Sequence, residues 1–264
     1  MNTVTDFIKK LIIIYTDKGI SGLSAQLSYY MLFTFFPILL FANGVLGRIL
    51  PYGYRLPLSS VIPRQIRDFA ESYIYEIEKG ANSRLMLLGA LLTLWSLTRY
   101  IRYYRRSLTR IYEKRRQISF LYDWAISLVF SIGMLLLFYL AVFSVFVTDS
   151  VLVKLGFYSF AGSVWYMLRF IIIALFAFLV ICLVSFTECG SGKRLWDFAP
   201  GSLCSVGVWT VVSVIFSYYA RSIADYSAFY GSIGNVIMLL VWLNLTNTIL
   251  LMGGVVNICL NNNT

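Results

Sequence analysis

The apolar residues of this chain gather into six long runs that are separated by shorter polar segments. The runs cover about residues 23–47, 85–104, 121–147, 164–186, 200–220 and 232–260. A membrane-spanning helix needs about 20 mostly apolar residues, because the hydrocarbon core is about 30 Å thick and an α-helix rises about 1.5 Å per residue. The pattern therefore predicts an all-α, polytopic membrane protein with six transmembrane helices.

The second run is the weakest of the six, because Arg99 and Arg102 interrupt its end. We expect this helix to cross the membrane and to continue into the cytoplasm. The connecting segments are too short to form a soluble domain, so residues 1–264 are expected to fold as a single membrane domain. The first run is longer than the apolar part of a signal peptide and no small-residue cleavage site precedes it, so we expect no signal peptide.

Two further segments have the periodicity of surface helices. Residues 4–16 carry apolar side chains on one face, which predicts an interfacial helix within a cytoplasmic segment 1–22. That face is formed by Phe7, Leu11, Ile12 and Tyr15. From Pro63 to Gly80 apolar residues recur every three or four positions, which predicts a helix over the outer mouth of the bundle. A simple lid and a gate are both open interpretations of that helix.

Lysine and arginine residues are distributed unequally between the two sides of the predicted membrane. With six spans, thirteen of them lie on the side of both chain ends and eight on the other side, while Arg169 falls within the fourth span. Basic residues accumulate on the cytoplasmic side of membrane proteins. The bias therefore predicts that both termini are cytoplasmic.

The composition agrees with this architecture and narrows the chemistry. Of the 264 residues, 59% are apolar and 13% are charged, whereas soluble domains carry about 25% charged residues. The chain has no histidine, so the commonest general base and metal ligand is absent. The four cysteines show no Cys-x-x-Cys spacing, and no group of acidic residues suits a metal. We therefore expect no metal, no cofactor and no enzymatic activity.

A basic stripe is the strongest candidate binding feature. Arg99, Arg102, Arg106 and Arg110 follow one another at intervals of three, four and four residues, which places them on one face of a helix. Such a face suits anionic lipid headgroups, which attract basic residues near the membrane by about 1 kcal/mol each. The alternative is that these charges only determine the topology. RNA binding is a third interpretation, but we expect membrane lipids and no nucleic acid as partners.

Polar residues inside the spans are candidates for a substrate pathway. Arg169 lies about five residues into the fourth span, where it either reaches the outer headgroups or faces a substrate or a partner. In the sixth span, Asn244, Asn247 and Thr248 share a face, and they either bond to neighbouring helices or line a polar route. In the fifth span, Gly201 and Ser205, and later Ser213 and Ser217, form pairs of small residues four positions apart, which favours tight helix packing.

Several blocks of the sequence resemble the YihY/BrkB-type family of bacterial inner-membrane proteins, in order and over nearly the whole chain. The blocks are Ala25–Tyr30, Leu32–Pro37, Leu94–Arg99, Arg105–Tyr112, Leu168–Arg169, Arg194–Trp196, Pro200–Ser202, Tyr230–Gly234, Leu240–Trp242 and Gly253. The resemblance implies a six-helix inner-membrane protein without a settled biochemical activity. It also implies a role in transport or lipid translocation, which is suspected for the family. Some members carry a ribonuclease label, which is regarded as a misassignment.

Two positions depart from the family's pattern. The family often has Asn where this chain has Thr109, and it commonly has Glu near the end of the last helix, where Val255 stands here. The second departure weakens any proton relay through that carboxylate. Metal-dependent tRNA-processing hydrolases of the relevant kind bind their metal through histidines, so the lack of histidine argues against a ribonuclease.

These observations lead us to expect a transporter or translocase for an anionic or amphiphilic solute, such as a lipid. The polar residues of the fourth and sixth spans would line its route, and the basic stripe would gather anionic headgroups. The alternative is a membrane scaffold or envelope-assembly partner that transports nothing. The sequence does not determine whether copies of the chain associate.

Overall fold

The backbone of the computed structural model is described for residues 2–49, 83–113, 119–155, 160–189, 194–223 and 227–261. Side chains are described within these ranges except at residues 2–4, 43–44, 46–49, 83, 140–155, 160–170, 189, 220–223, 227–233, 235 and 261. The helix expected between Pro63 and Gly80 lies outside the described residues.

Every long element in the described ranges is an α-helix, so the all-α prediction is confirmed. The helices are α1 (Asn2–Asp17), α2 (Ile20–Ile49), α3 (Ser83–Ile111), α4 (Phe120–Leu155), α5 (Phe160–Cys189), α6 (Ala199–Ile223) and α7 (Ser227–Asn261). A short 3₁₀ turn, Leu195–Phe198, leads into α6. Each of the six apolar runs lies within one of the helices α2 to α7.

Five of these helices are long and apolar enough to cross a membrane, which supports part of the six-span prediction. The qualifying segments are Ile20–Ala42, Phe120–Tyr139, Ile171–Glu188, Leu195–Tyr219 and Val236–Leu260. Helix α3 is not among them. Its arginine-free stretch, Leu85–Thr98, is shorter than the roughly 20 residues that a span needs.

Helix α3 is polar because it is the central helix of the bundle. It packs most extensively against α2 and also contacts α4, α5 and α7. Polar residues such as Thr93, Ser96 and Ser107 are buried against these neighbours, and Thr93 and Ser107 each donate a hydrogen bond to the carbonyl four residues earlier. Polar residues that face other helices are compatible with a span, and the leucines between Leu85 and Leu92 leave an exposed apolar surface on the other side of α3.

Small residues allow close approach at two helix crossings. A Cβ atom on Gly89 of α3 would lie 2.8 Å from the backbone nitrogen of Phe41 on α2, and α6 and α7 meet at Gly201 and Gly253. A Cβ on Gly253 would collide with the hydroxyl of Ser205, which donates a hydrogen bond to the Ile249 carbonyl at 3.3 Å. The tight packing predicted for the start of the fifth apolar run is therefore confirmed.

Helix α1 lies against the bundle with a face that differs slightly from the predicted one. Phe7, Leu11, Ile14 and Tyr15 pack against the buried core, while Ile12 is 60% exposed. The turn into α2 uses Gly19 at φ 63°, a conformation that glycine adopts without steric cost. Ile8, Ile12 and Ile13 are at least half exposed beside charged residues such as Lys9, as suits a helix at a membrane surface.

Candidate functional site

Charged side chains from three helices meet where α3 ends, α4 begins and α5 ends. We call this group, formed by Arg102, Arg105, Asp123, Ser127 and Glu188, the arginine–carboxylate cluster. Arg105 is at its centre and is only 1% exposed. A charge that is so completely buried requires both ion pairing and hydrogen bonding, because removing it from water costs several kcal/mol.

The guanidinium of Arg105 joins α4 to α5. Its Nε donates to Oε1 of Glu188 at 2.6 Å. Its Nη1 donates to Oδ1 of Asp123 at 3.0 Å, to the Asp123 carbonyl at 2.9 Å and to the Ser127 hydroxyl at 2.8 Å. Its Nη2 is buried and has no hydrogen-bond partner among the residues that the structure describes. One arginine therefore fixes the positions of two other helices, and part of its hydrogen-bonding capacity is still unused.

The two carboxylates lie in opposite electrostatic settings. Asp123 is in the first turn of α4, where the positive end of the helix dipole favours an anion, and it also accepts a hydrogen bond from Nε of Arg102 at 3.1 Å. Glu188 is near the negative end of α5 and is 2% exposed, so it depends on its donors. These donors are Arg105 and the Thr109 hydroxyl, which lies 2.7 Å from Oε2.

The cluster has more positive than negative groups. Nη2 of Arg106 also lies 3.7 Å from Asp123, so three guanidinium groups share two carboxylates. The side chain of Arg106 is 57% exposed, whereas those of Arg102 and Asp123 are about four-fifths or more buried. The arrangement suits a surface that attracts anions at one end of the bundle while it holds three helices in register.

A second polar group crosses the core between α2, α3 and α7. The Asn247 amide oxygen accepts a hydrogen bond from the Tyr100 hydroxyl at 2.9 Å, and its nitrogen donates to the Ser28 hydroxyl at 3.2 Å and the Leu243 carbonyl at 2.9 Å. Asn247 is completely buried. Its polar atoms are therefore satisfied by protein, as expected for an amide that links helices inside a membrane bundle.

A third polar contact closes the crossing of α6 and α7. The side-chain oxygen of Asn257 accepts a hydrogen bond from the backbone nitrogen of Gly201 at 2.8 Å. That nitrogen lies in the first turn of α6, where backbone donors lack partners within the helix. The nitrogen of the Asn257 amide is buried and finds no hydrogen-bond partner in the described part of the chain.

The four residues of the predicted basic stripe lie on one helix but have different surroundings. Arg102 is held by Asp123, and Arg106 lies near the same carboxylate. Arg99 is exposed and its guanidinium carbon lies 5.0 Å from the ring centre of Trp95 and 5.8 Å from that of Tyr30. Arg110 is exposed at the end of α3. Of the four, Arg102 therefore belongs to the arginine–carboxylate cluster and Arg106 lies at its exposed edge.

The predicted pathway residues of α7 differ in how exposed they are. Asn247 is buried, whereas Asn244 is exposed and Thr248, at intermediate exposure, donates a hydrogen bond to the Asn244 carbonyl at 2.8 Å. Arg169 lies on α5, but its side chain is outside the described residues. The three residues of α7 thus occupy the core and the outer surface of the bundle rather than one polar face.

Reasoning from the sequence missed Arg105, Asp123 and Glu188 as a group. Arg105 is off the regular spacing of the stripe, and Glu188 lies 83 residues away from it along the chain. The sequence feature that could have indicated the group is that both carboxylates stand at the ends of apolar runs, on the side of the predicted membrane where the arginine-rich end of α3 lies. Thr109, where the family often has Asn, proves to bond to Glu188, and Val255, in place of the family's Glu, is completely buried in the apolar core.

Comparison with known proteins supplies a family and one relative. A model of the family described as Virulence factor BrkB matches residues 12–264. YfkH of Bacillus subtilis (strain 168), which is named as ribonuclease-like, is 28% identical over 266 residues, covering 95% of this chain and 94% of YfkH. No solved structure matches the chain.

Proposed function

Because the chain belongs to the Virulence factor BrkB family and carries five helices able to cross a bilayer, it is an integral membrane protein, and we propose that it transports or translocates an anionic or amphiphilic solute such as a lipid. The observation that carries this proposal is the buried arginine–carboxylate cluster. Ionisable groups buried in a membrane bundle are costly, and they commonly mark substrate or ion pathways.

We propose that α3 also crosses the membrane, which brings the number of spans to six. Its contacts with α2, α4, α5 and α7 support this placement, and its exposed leucines between Leu85 and Leu92 suit a surface that faces lipid. The chain then has both termini in the cytoplasm and the cluster at the cytoplasmic end, in an inner membrane. Cysteines introduced at Gly53 and Thr264 should react oppositely with an impermeant thiol reagent added outside intact cells. Equal labelling of both would contradict the topology.

The proposed route passes from the cluster toward α7. Excess positive charge at Arg102, Arg105 and Arg106 would receive an anionic group. Further along, Asn247 is already bonded to Tyr100 and Ser28, so a polar route at this level requires α7 to separate from α3 and α2. The transport cycle therefore includes exchange of these protein hydrogen bonds for bonds to the solute, with Arg169, Asn244 and Thr248 as further candidate contacts.

A non-transporting scaffold or envelope-assembly partner is the second candidate function. It is favoured by the closed interior around Asn247, in which Leu27, Leu251 and Val255 are completely buried. We propose no enzymatic activity for this chain, which has no histidine, although its relative YfkH is named as ribonuclease-like. A purified sample that degrades tRNA in proportion to its own concentration, and loses this activity on Glu188→Gln substitution, would contradict that part of the proposal.

Reconstitution into liposomes tests the transport proposal. Fluorescent phospholipids and a panel of anionic solutes should show scrambling or uptake above protein-free vesicles. The variant Arg106→Gln, which leaves the buried bonds of Arg105 in place, should remove most of that activity, whereas Gly207→Ala on α6, where a Cβ has open space, should preserve it. If no member of the panel moves and the protein is shown to be folded, the scaffold function is the better account.

A further inference from the structure

Arg99 is exposed on the side of α3 that meets α2, and its immediate neighbours are aromatic rings. Its guanidinium carbon lies 5.0 Å from the centre of the Trp95 ring and 5.8 Å from that of Tyr30. Among the described residues, no carboxylate forms an ion pair with it, in contrast to Arg102, Arg105 and Arg106. Within the described part of the chain, the cation is therefore oriented by rings and not neutralised by a carboxylate.

The position of Arg99 along α3 places it deeper than the arginine–carboxylate cluster. Arg102 pairs with Asp123 in the first turn of α4, and Arg99 precedes Arg102 by one helical turn. Three residues correspond to about 4.5 Å of helix rise. An exposed guanidinium at this depth has limited access to water, so an anionic group from the lipid is the natural partner.

Apolar side chains extend from Arg99 toward the middle of the bilayer on both helices. On α2, Tyr29, Phe33 and Phe36 follow one another at intervals of four and three residues, and they are 55%, 56% and 66% exposed. On α3, Trp95 is 56% exposed, and Leu92 and Leu88 continue its face.

Ring contacts connect the charged end to this apolar surface. The Tyr30 and Tyr29 ring centres are 5.6 Å apart, and those of Tyr29 and Phe33 are 5.0 Å apart. A cation at one end and exposed apolar side chains beyond it match the two parts of a phospholipid. The phosphate meets the guanidinium and an acyl chain lies on the aromatic and leucine side chains.

We propose that Arg99, Trp95 and Tyr30 form a binding site for one anionic glycerophospholipid at the seam between α2 and α3. The lipid phosphate bonds to the guanidinium, whose central carbon lies over the two rings, and the acyl chain follows Phe33 and Phe36. This inference rests on the proposed placement of α3 in the membrane, but it holds for a resident lipid and for a transported one.

Quenching of Trp95 fluorescence by brominated lipids tests the site. In a variant in which the other five tryptophans are replaced by phenylalanine, brominated phosphatidylglycerol should quench Trp95 at about fivefold lower mole fraction than brominated phosphatidylcholine, as expected for the attraction of one basic residue. Arg99→Gln should abolish this preference. The matched control Arg110→Gln, which removes an exposed arginine from the same helix, should leave it unchanged.

Each other outcome is decisive. Strong but equal quenching by both lipids would overturn the site and would leave the membrane placement of α3 intact. Absence of quenching by either lipid would overturn both. Equal loss of preference in the Arg99 and Arg110 variants would reduce the effect to bulk charge and overturn the site.

Native mass spectrometry of the chain with all its tryptophans gives a second measurement, in case the five replacements prevent folding. One phosphatidylglycerol should stay bound to the chain and to Arg110→Gln, and it should be lost from Arg99→Gln. Retention of the lipid by Arg99→Gln would overturn the proposal.

Discussion

Replacing Arg105 with methionine should destabilise the bundle severely, because it leaves Glu188 with a buried charge. Glu188 is 2% exposed and keeps only the Thr109 hydroxyl as a donor from the cluster after the change. Removing one partner of a buried ion pair costs about 3–5 kcal/mol, mainly through the uncompensated charge that remains. Asp123 is affected less, because it retains Arg102 and is near Arg106.

The double variant Arg105→Met/Glu188→Met separates this explanation from simple loss of packing. Methionine is flexible and fills space of similar volume, and replacing both members of a buried pair is often neutral. We therefore expect the double variant to lie within about 1 kcal/mol of the unsubstituted protein. Glu188→Met alone should cost about 2 kcal/mol, because Arg105 keeps its bonds to Asp123 and Ser127.

Unfolding in mixed micelles by titration with sodium dodecyl sulfate, followed by circular dichroism, measures these free energies of unfolding. Arg106→Met is the matched control, since its side chain is 57% exposed and its pairing distance is 3.7 Å. It should change stability by less than about 1 kcal/mol. The reasoning would be refuted if Arg105→Met were no worse than Arg106→Met, or if the costs of the two single changes simply added in the double variant.

Three further changes test other parts of the structure. Gly253→Ala should cost about 1–3 kcal/mol in the same unfolding assay because its methyl group collides with α6, whereas Gly207→Ala, with open space, should be neutral or stabilising; equal effects would contradict the close crossing. Asn247→Leu should cost about 1–2 kcal/mol and Asn244→Leu, on the exposed face, close to nothing, so a larger loss at Asn244 would contradict the assignment of faces. Arg169→Lys should leave the protein folded but remove most transport activity, since lysine lacks the planar guanidinium; full activity would indicate that Arg169 only reaches the headgroups.

The helices were predictable because each depends on a local property of the chain. An apolar run of about 20 residues forms a helix in any bilayer, whatever its neighbours are. The same local criterion fails to identify α3 as a span. It counts every polar residue of the helix against membrane insertion, although the polar residues of α3 face other helices. At α1, the choice between Ile12 and Ile14 for the packed face depends on how the helix is rotated against the bundle, and periodicity alone leaves that rotation open.

The arginine–carboxylate cluster was not predictable in the same way because it joins residues that are distant along the chain. Spacing identifies which arginines share a helical face, but it does not identify the carboxylates that other helices bring to them. Arg105 and Glu188 are 83 positions apart, and Tyr100 and Asn247 are 147 apart. For Asn247, the prediction that amides bond to neighbouring helices required only its own position, whereas naming Tyr100 and Ser28 required the fold.

The central position of α3 has a consequence for how the protein is made. Segments enter the bilayer from the translocon largely one after another, and each arginine near the centre of a segment opposes its release by about 2.5–3.5 kcal/mol. A helix with a short arginine-free stretch and polar residues such as Thr93 and Ser96 on its inner face has little tendency to partition alone, so we expect α3 to leave the translocon only when paired with α2 through the Gly89 crossing. In a glycosylation-mapping assay, α3 alone should insert poorly and the α2–α3 hairpin efficiently; efficient insertion of α3 alone would contradict this. Substitutions on the inner face of α2 would then act during biogenesis, by leaving α3 outside the membrane and inverting the helices that follow it.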